Sequence, residues 1–146
     1  GIWALMHYWG KEGYLENARR VLHVKRSIVE KCREIDGLHT WKSDGPLLMI
    51  ASDEFDIRVV VSGMEDRGWR LLGVTNPPAI HLTLDVMEDE SLVQFLTDLE
   101  EIVDGIKTGA ITREGQLTYG GVGAESSAPK WLLSAMEIFD QQETKK

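Results

Sequence analysis

From Tyr14 to Gly37 the chain repeats apolar residues at helical spacing. Leu15, Ala18, Val21, Leu22, Ile28, Val29, Cys32 and Ile35 fall on three- and four-residue steps, which puts them on one face of an α-helix. Gly37 stands where a left-handed C-cap residue belongs. A helix of about six turns with so wide an apolar face must bury that face against a second layer, so the rest of the sequence is read for what supplies that layer.

Two strand-like segments come next, His39–Lys42 and Leu47–Ala51. Ser43-Asp44-Gly45-Pro46 between them is turn chemistry, so the pair reads as a hairpin. Leu47–Ala51 is apolar at every position, the pattern of a strand covered on both faces. Asp56 is placed to cap a helix running to about Arg67, with Gly68 as its stop. Val59-Val60-Val61 opposes that reading, because β-branched runs favour strands. Trp69–Val74 reads as a strand that Asn76-Pro77-Pro78 breaks.

In Ile80–Asp85 the alternation is clean: Ile80, Leu82 and Leu84 face one way, His81, Thr83 and Asp85 the other. Glu88-Asp89-Glu90 supplies negative charge where a helix dipole favours it. Leu92, Phe95, Leu96, Leu99, Ile102, Val103 and Ile106 then form the apolar stripe of a helix ending near Gly109. Residues 110–128 are weakly patterned and contain Tyr119-Gly120-Gly121-Val122-Gly123. A last helix over 129–146 starts at Pro129, carries Trp131, Leu132, Ala135, Met136 and Phe139, and ends in a polar tail.

The order of elements describes an α+β fold, one sheet of about four mostly antiparallel strands with helices packed on it. The 146 residues read as a single domain: 1–12 a linking helix interrupted at Lys11-Glu12-Gly13, 13–109 the α/β core, 110–128 a loop and 129–146 the C-terminal helix. The first residues, Gly1-Ile2-Trp3-Ala4-Leu5-Met6, enter a helical pattern without a cap, and the expectation is a domain cut from a larger protein. A formal net charge of −8 with scattered basic residues argues against a nucleic-acid partner. A single cysteine, Cys32, excludes an intramolecular disulfide and fits a reducing, cytoplasmic setting; its apolar helical position marks it as a buried, inert thiol. His7, His23, His39 and His81 show no metal-ligand spacing.

A set of short motifs in fixed order carries a family resemblance: Trp3-Ala4-Leu5-Met6-His7-Tyr8 with Gly13-Tyr14, Phe55-Asp56-Ile57, Gly68-Trp69, Pro77-Pro78-Ala79-Ile80-His81, Gln94 to Leu99, and Ala110-Ile111 through Tyr119-Gly120. The chain resembles the C-terminal small domain of the sphingosine phosphate lyases and, more distantly, of the group II amino-acid decarboxylases. The resemblance implies the small domain of an aspartate-aminotransferase-like (fold-type I) enzyme. There a large domain holds pyridoxal phosphate on a lysine, and the cofactor serves as electron sink for carbon–carbon cleavage. It implies obligate dimers, hence a homo-oligomer, and a substrate that is a phosphorylated long-chain amino alcohol split into aldehyde and phosphoethanolamine. A decarboxylase domain and a free-standing binding or dimerisation module are the alternatives.

No lysine here follows a histidine, so the cofactor-binding run of the family is absent. The chain alone is expected to bind no cofactor and to need the large domain as partner. Tyr119 matches a family tyrosine that reaches toward the active site, which makes it the candidate catalytic residue; otherwise it is a surface loop tyrosine. His81 matches a family histidine and is the candidate substrate-binding residue; otherwise it is a structural histidine satisfied by Thr83, Asp85 or backbone. Gly120-Gly121-Val122-Gly123 lacks the strand and lysine of a phosphate loop and reads rather as a hinge. Trp3, Trp9, Trp41, Trp69 and Trp131, with Met6 and Tyr8, read as core or inter-domain contacts. Residues 2–9 form an apolar patch that expects a neighbour.

Overall fold

The structure, a computed structural model, describes residues 2–112, 118–119 and 122–123, with side chains described for 7–112. A helix, α1, spans Ile2–Glu34 and is broken at Gly10, whose φ is 62° and ψ −176°. The break thus falls just before Lys11-Glu12-Gly13. Gly10 takes the left-handed φ that side chains resist, while Gly13 stays helical, with a Cβ added there coming within 3.1 Å of Trp9 Cβ. Burial on α1 begins at Val24, which the stripe read from the sequence omits, and continues through Ile28 and Cys32 to Ile35 just past the helix, which the stripe includes.

These residues cover a sheet of four strands, β1 (His39–Thr40), β2 (Leu47–Ala51), β3 (Leu72–Thr75) and β4 (Pro78–Thr83), in the order β1-β2-β4-β3. Every neighbouring pair is antiparallel. Leu48 and Ile50 of β2 stand opposite Leu82 and Ile80 of β4, and all four are buried. Helices α2 (Ile57–Asp66) and α3 (Asp89–Lys107) complete the layer on that side. α2 is helical in spite of its valine run. Asp56 caps it by accepting from the Arg58 backbone N–H at 3.0 Å, and Val59, Val60 and Val61 are all buried, so packing overrides propensity. Gly63 lets α2 approach α3: a Cβ there would lie 2.9 Å from Ile102 Cγ2.

Three sequence expectations need correction. Leu47–Ala51 is fully covered on one face and only partly on the other, where Ala51 is buried. Leu48 and Ile50 are buried, but Leu47 is 44% exposed and Met49 is half-buried. The strand expected over Trp69–Val74 begins at Leu72, because Trp69 completes the end of α2 instead. Its N–H donates to the Met64 carbonyl at 3.0 Å, and its ring meets Phe95 edge-on at 5.1 Å. The segment read as a plain loop holds two short paired strands, β5 (Thr118–Tyr119) and β6 (Val122–Gly123), with β5 lying beside β3. The helix expected over 129–146 lies outside the described residues, as do Gly120 and Gly121.

Gly37 joins α1 to the sheet at φ 87°, and a Cβ there would sit 2.7 Å from Phe55 Cε1. Backbone strain and the aromatic contact act together, so Gly37→Ala is expected to lower unfolding free energy by about 1–3 kcal/mol. Urea denaturation followed by tryptophan fluorescence checks this; an unchanged midpoint would contradict it.

Candidate functional site

Strand alternation decides which side chains leave the helix-covered face. On β4, Ile80 and Leu82 go into the core, so His81 points the other way and is half-buried. Its register partners are Met49 on β2 and Leu72 on β3. Its backbone is paired in the sheet, while its imidazole bonds neither Thr83 nor Asp85. The Asp85 carboxylate instead accepts from the Val86 N–H at 2.7 Å. The backbone of Tyr119 sits in β5 opposite Val122. β5 belongs to a separate two-stranded sheet that lies close to β3, the edge strand next to the β4 that carries His81. The structure describes no contact between Tyr119 and His81.

The strongest electrostatic cluster lies on the opposite, helical side. Asp98 of α3 is 5% exposed and accepts from Arg67 Nη1 at 2.6 Å, Trp69 Nε1 at 2.7 Å and Gln94 Nε2 at 3.0 Å. Burial acts to raise its carboxyl. The bonds from Trp69, Arg67 and Gln94 outweigh burial and hold it below the ordinary carboxylate range. The same contact to Asp98, with a second to Glu101 at 2.7 Å, raises Arg67. The donors converge on a buried carboxylate, Arg67 and Gln94 reaching it from the surface, so the cluster is a brace between the end of α2 and α3. Sequence reading missed it; Gln94 is four residues from Asp98, but Trp69 and Arg67 are 29 and 31 residues away and no local pattern joins them to it.

Pyridoxal phosphate needs a lysine that can give up its proton to form a Schiff base. Lys31 is held as an ammonium by Glu100 at 2.7 Å, which raises it. Lys107 is raised by Asp36 at 2.9 Å. Lys25 donates to Ser43 and Gly45, tying the hairpin turn to α1, while Lys11 and Lys42 are exposed. The described lysines do not fit that group. Among the described residues no three His, Cys, Asp or Glu side chains gather to hold a metal ion, and no helix is long and apolar enough to cross a membrane. Cys32 is fully buried, and burial pushes its thiol up to about 12. It is expected to resist iodoacetamide in the native protein and to react only in denaturant, as intact-mass measurement would record. Tyr8 is 87% and Trp9 42% exposed, as expected for a patch on the first turns of α1. Trp69 is a core residue, Trp41 is exposed on the sheet side, and the side chains of Trp3, Met6 and Trp131 lie outside the described ones.

This fold and sequence have relatives. The sphingosine-1-phosphate lyase of Arabidopsis thaliana is 32% identical over 126 residues, covering 84% of this chain and 23% of that protein. The chain belongs to the sphingosine phosphate lyase family. A probable L-aspartate decarboxylase of Pyrococcus abyssi is 28% identical over 107 residues, 70% of this chain and 26% of that protein. The solved structure of a sphingosine-1-phosphate lyase from Burkholderia pseudomallei superposes with a TM-score of 0.70 at 24% identity, covering 94% of this chain and 28% of that one. That likeness makes the fold the aminotransferase-like one expected from the motifs. No family model matches the sequence. The chain spans about a quarter of the length of the curated relatives it matches.

Proposed function

We propose that this chain is the small C-terminal domain of a pyridoxal-phosphate-dependent carbon–carbon lyase. Joined to a cofactor-bearing domain, it serves the cleavage of a phosphorylated long-chain amino alcohol to an aldehyde and phosphoethanolamine. The observation that carries this reading is the match to the plant lyase over 84% of the chain, longer and closer than the match to the decarboxylase over 70%. Because the described lysines do not fit the cofactor, the Schiff-base lysine belongs to the other domain, and this chain contributes side chains at the margin of the pocket. Tyr119 is the proposed proton-handling group and His81 the proposed substrate contact. The working assembly is a homo-oligomer in the cytoplasm. The decarboxylase match supports the second reading, removal of carbon dioxide from an acidic amino acid.

The test mixes this chain with the cofactor domain of the Arabidopsis relative and offers both substrate types. Release of phosphoethanolamine and aldehyde by the mixture, and by neither part alone, is the expected result. Carbon dioxide from aspartate or glutamate would favour the second reading. Neither product from a demonstrated complex would end both.

A further inference from the structure

The apolar stripe of α1 starts at Leu15 in the sequence, but burial starts only at Val24. The turns before Val24 border a groove instead of the core. Tyr14, Ala18, Val21 and Leu22 form one wall of it, Pro46 and Leu84 the other. The groove encloses about 390 Å³, a size that suits a small molecule. Tyr14 and Leu22 stay 62% and 39% exposed.

A second hollow of about 350 Å³ adjoins the first across Leu22 and Gly45. There the lining changes to Lys25, Arg26 and Arg33, set against Glu30 and Asp44. The excess charge is positive, in a chain whose net charge is −8. Lys25 Nζ donates to the Ser43 carbonyl at 2.7 Å, Ser43 Oγ at 3.0 Å and the Gly45 carbonyl at 2.8 Å. Those bonds use all three of its donors, so Lys25 fixes the turn as a wall and leaves only its charge to the hollow. On the same helix Arg19 and Arg20 pair with Glu16 and Glu88. The Arg26 and Arg33 side chains make no hydrogen bond or ion pair with other described residues. Their spacing puts both on one face of α1.

We propose that the two hollows are one binding site for a single-chain amphiphile with a phosphate head. The chain lies along Tyr14 to Leu22 and the phosphate between Arg26 and Arg33. From Tyr14 to Arg26 the helix advances about 18 Å, the reach of a long aliphatic chain. Guanidinium groups match phosphate oxygens in geometry as well as charge. The choice of a phosphorylated chain rests on the proposed function. By alternation Leu84 extends the row of Ile80 and Leu82, so the groove lies on the side of the sheet opposite His81. It holds the amphiphile away from the proposed cleavage pocket.

The test titrates this chain calorimetrically with dodecyl phosphate below its micelle concentration, and one bound molecule is expected. Arg26→Gln combined with Arg33→Gln should weaken binding at least about tenfold, the scale of a lost charge-assisted hydrogen bond. Leu22→Gln, at the junction, should weaken it several-fold. All three positions are exposed, so the variants are expected to melt with the wild type. Dodecanol should bind more weakly and ignore the arginine changes. Inorganic phosphate at the same concentration should not displace the amphiphile. Binding that ignores both sets of variants, equal competition by inorganic phosphate, or no binding overturns the proposal. So does capture by phosphatidylglycerol vesicles without binding of the dispersed amphiphile, which would make the groove a membrane contact. Full loss of binding on adding the cofactor domain of the Arabidopsis relative also overturns it, because protein would then fill the groove. Binding by a chain whose mixture yields no lyase product leaves the groove standing and removes the functional reading. Lyase product without dodecyl phosphate binding does the reverse.

Discussion

Asp98→Ala is expected to remove about 2–3 kcal/mol of stability, the largest single-residue loss outside the apolar core, because it strands donors rather than merely deleting a bond. Trp69 Nε1 and Arg67 Nη1 both point at this carboxylate. Among the described residues the indole nitrogen has no other hydrogen-bond partner, and its ring meets Phe95 edge-on. Arg67 keeps Glu101, which limits the loss. The pH dependence has a definite sign. A carboxyl whose folded-state pKa is depressed contributes stability above its unfolded value and loses it as pH falls through the folded one. The difference between wild type and Asp98→Asn should therefore be full above about pH 5 and shrink below about pH 4. Chemical denaturation at a series of pH values measures it. A difference that stays constant down to pH 2 would show that the carboxylate is not the source.

Much of this fold was legible because its signals are local. The periodic stripe ending in Ile35 and Gly37 located the buried half of α1, and Ser43-Asp44-Gly45-Pro46 located the hairpin. The alternation through Ile80, His81 and Leu82 by itself assigns His81 to the face opposite the core. The errors have physical causes of two kinds. Trp69 looked like the start of a strand because its partner, Asp98, is far along the chain, and the bond that holds it at the end of α2 leaves no mark on neighbouring residues. Leu47–Ala51 looked doubly covered because an apolar strand carries the same pattern whether its second cover comes from its own domain or from another protein. The run was read correctly as apolar and incorrectly as already satisfied. The site itself was only half legible. Motif order pointed to Tyr119, but the approach of β5 to β3 spans more than forty residues of sequence and follows from no spacing rule.

In the assembled lyase, Tyr119→Phe is expected to lower kcat about a hundredfold, the low end of what a positioned proton donor or acceptor supplies. The substitution keeps the ring and the strand and removes only the hydroxyl. The dissociation constant of the two parts should therefore stay unchanged, and so should the melting temperature of the chain. Gly120 and Gly121 follow Tyr119 directly, a sequence that lets backbone approach a ligand closely, and β5 sits beside the strand whose Leu72 borders His81. His81→Leu should act differently: as a binding contact it is expected to raise KM several-fold with kcat nearly kept, because a uniform loss of binding leaves the chemical step alone. Steady-state kinetics on the phosphorylated amino alcohol separates the two patterns. If Tyr119 only packs against the surface, Tyr119→Phe will turn over like wild type while Tyr119→Ala weakens the complex, and the catalytic role then passes to a group on the cofactor domain.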